Sequence, residues 1–149
     1  MTTIAAALND LLFASDLPVE KAIDRHFTPG YRQRTDGAWD DLAGFTAHMT
    51  HLRGLVAGGE VEVHEELRNG SLYADRHTVT VTKTDGAIVR MEVYLFGEQA
   101  ADGRFSRIEE TTLLLDGTEA DRGLGSARLP GLGFRHGRNR PAYAPPGTR

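Results

Sequence analysis

An arginine, a threonine, a glutamate and a tyrosine can meet on one face of a β-sheet in this chain, a set able to hold or move a proton. The runs Leu72–Thr82 and Ile88–Phe96 alternate with period two, so successive side chains point to opposite faces. Odd positions carry Asp75, His77, Val79 and Val81 in the first run, and Val89, Met91, Val93 and Leu95 in the second. Even positions carry Arg76, Thr78 and Thr80, then Arg90, Glu92, Tyr94 and Phe96. The turn decides how these sets combine. A two-residue Asp85-Gly86 loop would pair odd with even, whereas a three-residue Thr84-Asp85-Gly86 loop with Gly86 in the left-handed bulge position pairs like with like. The second register is preferred because it separates an apolar face from a polar one carrying Arg76, Thr78, Glu92 and Tyr94. Two placements remain. The valine face can lie under helices with the polar face in water, as the pattern alone favours, or the polar face can line a pocket.

Other chemistries find little support. The six histidines include no HExxH or similar metal spacing, and the chain has no cysteine, so neither a thiolate metal site nor a disulfide framework is expected. No glycine-rich phosphate loop or nucleophile elbow occurs; Gly123-Leu-Gly-Ser126 follows the last strand and opens no helix. His48 reads as a pocket-wall or core residue, and His64 and His77 as structural or interfacial ones.

The elements that must position these residues are read from periodicity. Ile4–Phe13 has helical spacing, and a second helix opens at Pro18 with Val19, Ala22, Ile23 and Phe27 on one face. Pro29-Gly30 should end it. Tyr31–Thr35 reads as a short strand closed by Asp36-Gly37. A longer helix from Asp40 or Asp41 to about Ala57 carries Phe45, Met49, Leu52 and Val56 as its stripe, with Gly58-Gly59 as terminator. Four strands follow, near 61–67, 72–82, 88–96 and 105–115, separated by Asn69-Gly70, Asp85-Gly86 and Asp102-Gly103. Short links favour antiparallel pairing. The order predicts one α+β domain over residues 1–122, helices first and a mainly antiparallel sheet after them. Residues 123–149 hold six glycines, four prolines and five arginines with no acid, and read as an extended arm.

With the formal charge at −4 overall, removing those five arginines leaves residues 1–122 at −9. An acidic body argues against nucleic acid as a partner. No apolar run reaches the roughly 20 residues a membrane helix needs, and the first residues lack the features of a signal peptide, so no membrane partner and a cytoplasmic location are expected.

The element order, with Tyr31-x-Gln33, Ala74-Asp-Arg-His77, Glu92-Val-Tyr94-x-Phe96 and the run from Asp102 to Thr111, resembles the nuclear transport factor 2-like superfamily. Its members include SnoaL-like polyketide cyclases, limonene epoxide hydrolase and ketosteroid isomerase. The resemblance covers roughly residues 5–117. It implies a cone-shaped barrel, a curved sheet closing over helices around a small-molecule cavity, and cofactor-free chemistry. It places Tyr31 and Gln33 where the epoxide hydrolase holds its water, Arg76 at its arginine and Glu110 at a carboxylate of the last strand. Thr78 stands where that enzyme has a second aspartate. Against ketosteroid isomerase, Gln33 falls at the base and Glu92 at an acid that donates to the oxyanion. The cyclases place an acid/base aspartate at Glu110.

These comparisons send the even positions inward. The expected catalytic residues are then Glu110, Glu92, Arg76, Tyr31 and Gln33, with Phe45, His48, Leu52, Thr78, Tyr94, Phe96, Ile108 and Thr112 binding substrate. The odd face, with His77, Val79, Met91 and Val93, would pack against a second subunit. Two carboxylates in one cavity repel, so Glu92 and Glu110 could divide into proton donor and acceptor. The implied activity is cyclisation, isomerisation or hydrolysis of a small apolar carbonyl or epoxide compound, with no cofactor or metal. The alternative is a ligand-binding or assembly domain of the same fold.

Overall fold

A computed structural model describes residues 1–125 of the chain. The expected extended arm lies almost wholly outside them. Helix α1 (Ile4–Leu8) is capped by Thr3, whose hydroxyl accepts from the Ala6 amide at 3.1 Å, and runs into a π-helical turn over Asn9–Phe13. Helix α2 spans Val19–His26 and buries Val19, Ala22 and Ile23, the face expected from their spacing. Helix α3 spans Leu42–Leu55 and is capped by Asp41, which accepts from the Gly44 amide at 2.9 Å.

Six strands form one sheet: β1 (Phe27–Thr35), β2 (Ala38–Asp41), β3 (Val56–Asn69), β4 (Leu72–Lys83), β5 (Ile88–Gln99) and β6 (Phe105–Asp116). The spatial order is β2-β1-β6-β5-β4-β3, with β1 and β6 parallel and all other neighbours antiparallel. A 3₁₀ turn over Glu119–Gly125 follows. No helix among the described residues is long and apolar enough to cross a membrane.

Three local readings are corrected. Pro29-Gly30 does not stop a helix; it lies inside β1, where the missing proline N–H accompanies a shift of register against β6 between Phe27 and Arg32. Asp36 and Gly37 both have positive φ and form a two-residue turn that returns the chain as β2, a strand not expected from the sequence. Gly58-Gly59 belongs to β3 rather than to a helix terminus.

The β4–β5 turn follows the like-with-like register. Thr78 faces Glu92, Arg76 faces Tyr94, and Gly86 has φ +88°. The face turned to the helices is nevertheless the odd one. Met91, Val93 and Leu95 join the core with Ile4, Leu11, Phe45, Met49 and Leu52, beside an aromatic cluster of Phe27, Tyr31, Phe45, Phe105 and Tyr73 with centroids 4.6–6.1 Å apart. Burying a valine or methionine side chain contributes about 1.5–3 kcal/mol, whereas placing Arg76 and Glu92 there would desolvate two charges. The apolar face wins.

Gly59 lets the helical layer approach β3. A Cβ there would overlap the Thr80 carbonyl oxygen and lie 2.7 Å from the Phe13 ring. At Gly58 an added Cβ has nothing within 4 Å. Gly59→Ala is therefore expected to lower unfolding free energy by about 1–3 kcal/mol, the cost of overpacking. Gly58→Ala should leave it unchanged or slightly raised, both read from urea denaturation midpoints.

Candidate functional site

The inner face of the sheet and helices α1 and α3 enclose a cavity of about 110 Å³. Most of its wall is aliphatic. Leu8, Leu11, Met49, Leu52, Val79 and Met91 are typical; Gln33, His77, Glu110 and Thr112 form a polar cluster at one end, and His48 and Lys83 line the cavity elsewhere.

Strand register builds that end. Gln33 and Thr35 on β1 lie beside Ile108 and Glu110 on the parallel strand β6. Leu95 on β5 separates Glu110 from Asp75 on β4, and Val93 stands between His77 and Thr112. Asp75 and His77, two residues apart on one strand, share the inner face.

Hydrogen bonds fix each group. The buried Tyr31 hydroxyl donates to Gln33 Oε1 at 2.6 Å, which turns the Gln33 amide nitrogen toward Thr35 Oγ1 (2.9 Å) and Glu110 Oε1 (3.1 Å). Thr35 Oγ1 also donates to Glu110 Oε1 at 3.1 Å. Glu110 Oε1 thus accepts twice, and its second oxygen has no partner among the described residues. Across the end, His77 Nδ1 lies 2.9 and 3.1 Å from the two Asp75 oxygens. A carboxylate can only accept, so Nδ1 carries the proton and donates, and in the neutral ring Nε2 keeps a free lone pair. Asp75 and His77 are both buried.

Burial pushes the Glu110 carboxyl up to about 7, against the pull of His77 and of the Thr35 hydrogen bond. The Asp36 and Asp75 carboxylates add to the rise. The Tyr31 phenol is held well above its ordinary range by burial and by Glu110, so it acts as a neutral donor. His48 on α3 is buried and its basicity lowered, chiefly by burial. At neutral pH this end of the cavity holds a carboxyl poised between its two forms and an imidazole oriented by a carboxylate.

The expected site residues divide by strand face. Glu110, Gln33, Phe45, His48, Leu52, Ile108 and Thr112 line the cavity, and Tyr31 lies directly behind Gln33. Arg76, Glu92, Thr78, Tyr94 and Phe96 do not. They stand on the outer face of the sheet, where Arg76 is 3.3 Å from Glu65 and 3.7 Å from Glu92. Thr78 lies there 2.7 Å from His64, and Tyr94 and Phe96 are exposed. Glu92 and Glu110 therefore share no cavity, and the division of roles between them falls. The proposed subunit contact through His77, Val79, Met91 and Val93 falls with it, since that face lines the cavity. Sequence reading passed over the Asp75–His77 pair. Its signal was present: an acid and a histidine at i and i+2 of a strand share a face within hydrogen-bond reach. Among the described residues no group of three or more His, Asp or Glu side chains is arranged to hold a metal.

Comparison with known proteins supplies the wider frame. No family model matches the chain. An uncharacterised protein of the fission yeast Schizosaccharomyces pombe is 35% identical over 101 residues, covering 68% of this chain and 77% of the relative. Among solved structures, AclR of Streptomyces galilaeus, provisionally described as a hydroxylase, superposes with a TM-score of 0.59 at 16% identity, covering 85% of this chain and 83% of that one. IdmH of Streptomyces antibioticus, provisionally described as a polyketide cyclase, gives 0.57 at 15% identity, covering 75% and 88%. A nuclear transport factor 2-like protein of unknown function from an Exiguobacterium species gives 0.56 at 16% identity, covering 74% and 97%. These likenesses are of fold. The chain belongs to the family of the fission yeast protein, and its fold is the one seen in nuclear transport factor 2-like and ketosteroid isomerase-like structures.

Proposed function

We propose that this protein is a cofactor-free acid/base enzyme acting on a small, mostly apolar carbonyl compound. The observation that carries the reading is the pairing of Glu110, with its carboxyl raised to about 7, and the Asp75–His77 pair at the polar end of an apolar cavity. A group with pKa near the working pH is the most effective proton carrier. Glu110 Oε1 is occupied by Gln33 and Thr35, so a proton exchanged with substrate travels through Oε2. His77 Nε2 supplies a second position, acting as a base toward a C–H or O–H and returning the proton as an acid. Asp75 stabilises the imidazolium that forms between these steps.

Removal of a proton beside a carbonyl and its return elsewhere is the step that cyclisation and isomerisation share. Cyclase-like chemistry is the preferred form. Epoxide hydrolysis is less well supported, because Arg76, the cation expected beside Tyr31 and Gln33, lies outside the cavity.

The probe is 1-tetralone, a small bicyclic ketone with exchangeable protons beside its carbonyl. In D₂O the protein should accelerate deuterium incorporation at that carbon, followed by proton NMR. Glu110→Gln and His77→Asn should each reduce the enzymatic rate by about 10²–10⁴-fold, the usual worth of a positioned acid or base. Binding of 1-tetralone with no accelerated exchange would remove the reading and leave a binding domain.

The carboxyl also makes a prediction that needs no substrate. Glu110 is raised in the folded state from 4.5 to about 7, so the folded protein holds a proton that the unfolded chain releases. Wild-type stability should fall as pH rises from about 4.5 through 7, by up to about 3 kcal/mol relative to Glu110→Gln. Parallel stability curves for the two proteins would refute the raised value.

A homodimer is also proposed, through the outer sheet face rather than the inner one. Phe96 (73% exposed), Leu72, Tyr94 and Leu113 leave apolar area open there, interspersed with Arg76 and Glu92. Light scattering should give twice the 16.3 kDa chain mass. Phe96→Glu should return the single-chain mass at the same micromolar concentration.

A further inference from the structure

Helix α3 turns one face to the cavity, and that face is not uniformly apolar. Phe45, His48, Met49 and Leu52 fall at i, i+3, i+4 and i+7, and all four are buried and line the cavity. Phe45, Met49 and Leu52 fill space. His48 sets an imidazole, only 2% exposed, among them.

One side of that ring is accounted for. Nε2 lies 3.2 Å from the Leu124 carbonyl oxygen. A carbonyl can only accept, so Nε2 carries the proton and donates. Burial lowers the basicity of the imidazole and outweighs the Leu124 bond, which favours the charged form. The ring is therefore neutral at neutral pH, and Nδ1 keeps a bare lone pair. Nδ1 is buried and has no hydrogen-bond partner among the described residues. For stability alone this is a cost. A buried acceptor left unpaired forfeits the hydrogen bond it had with water, and an apolar side chain of similar size carries no such loss.

The other polar groups of the lining do not supply the missing donor. The Gln33 amide donates to Thr35 and Glu110, His77 donates to Asp75, and the Thr112 hydroxyl donates to Asp36. Lys83 donates to Asp121 at 3.0 Å. A ligand that fills the cavity excludes water from Nδ1, so it must itself donate there or leave the acceptor unpaired.

We infer that His48 determines ligand specificity: its Nδ1 accepts a hydrogen bond from an O–H or N–H group of the bound molecule, so the cavity takes a carbonyl compound that also carries a donor and discriminates against one that does not. The inference rests on the proposal that the cavity receives a small carbonyl compound. It does not depend on proton transfer at Glu110 or His77. His48 is a binding residue on the helical wall, separate from the strand residues that hold the titrating groups.

The probes are 1-tetralones with a hydroxyl at each aromatic position in turn beyond reach of the ketone's own oxygen. Each is matched with its fluoro analogue, which is close in size and has no proton to donate. Dissociation constants are measured by isothermal titration calorimetry for the wild type and for His48→Phe. In the wild type at least one hydroxy compound should bind about three- to tenfold more tightly than its fluoro partner, the worth of one hydrogen bond. In His48→Phe that preference should vanish while the fluoro compound still binds. No hydroxy preference in the wild type, or one that survives in His48→Phe, would overturn the assignment. So would an equal loss for both members of the pair, because His48 would then only shape the wall. Should His48→Phe fail to fold, nitrogen NMR of the wild-type imidazole decides the matter. The Nδ1 resonance should move upfield with the preferred hydroxy compound and not with its fluoro partner, and an unmoved resonance would overturn the assignment. The readout is affinity alone, so ketones that bind in this pattern without accelerated exchange would remove the proposed activity and keep the role of His48. Failure of every compound to bind would remove both.

Discussion

The burial of one strand face under the helices governs the rest of this structure. Val79, Met91 and Val93 occupy alternate positions of β4 and β5, and their area is enough to decide which side of the sheet meets α1 and α3. Once that face turns inward, Asp75 and His77 must turn with it, because they share its parity. Arg76 and Glu92 are carried to the other side by the same rule. The like-with-like pairing across the Thr84–Gly86 turn locks the two strands together, so neither can change face alone.

Strand β6 joins this arrangement from the other flank. Its register against β5 brings Ile108, Glu110 and Thr112 to the inner side, and its parallel pairing with β1 sets Gln33 and Thr35 beside them. A carboxyl placed there is nearly surrounded by aliphatic and aromatic side chains. Two neutral donors satisfy one of its oxygens, but among the described residues no arginine or lysine is paired with it, as Arg76 would have been on the opposite parity. This is why desolvation dominates at Glu110 and lifts it toward neutrality rather than holding it ionised. The same apolar surroundings that stabilise the fold thus tune the titrating group.

Much of this was legible where the signal is local. The Asp41 cap, the buried faces of α2 and α3, the four long strands and the three-residue turn follow from spacing and turn chemistry within a dozen residues. Strand β2 was not legible, since Trp39-Asp-Asp carries no alternation that separates it from a helix start. The parallel β1–β6 pair joins residues some 75 positions apart in the sequence, and no local pattern encodes it. Parity failed for a different reason. The hydrophobic pattern favoured the valine face under the helices, and the resemblance to relatives with polar residues in the cavity overruled it. Area decided correctly. The penalty fell on the site, because Asp75 and His77 were assigned to the wrong side along with the valines around them.

A cavity built in this way has a direction. Its polar end is the junction of β1, β6, β5 and β4, where backbone pairing fixes Gln33, Glu110, Asp75 and His77 to strands that cannot shift separately. Its aliphatic wall is shared between those strands and helices α1 and α3, which carry Leu8, Met49 and Leu52. Groups held on paired strands keep their geometry more precisely than groups held on loops. The same sheet pairing that buries the apolar face therefore also fixes the proton-carrying groups relative to one another.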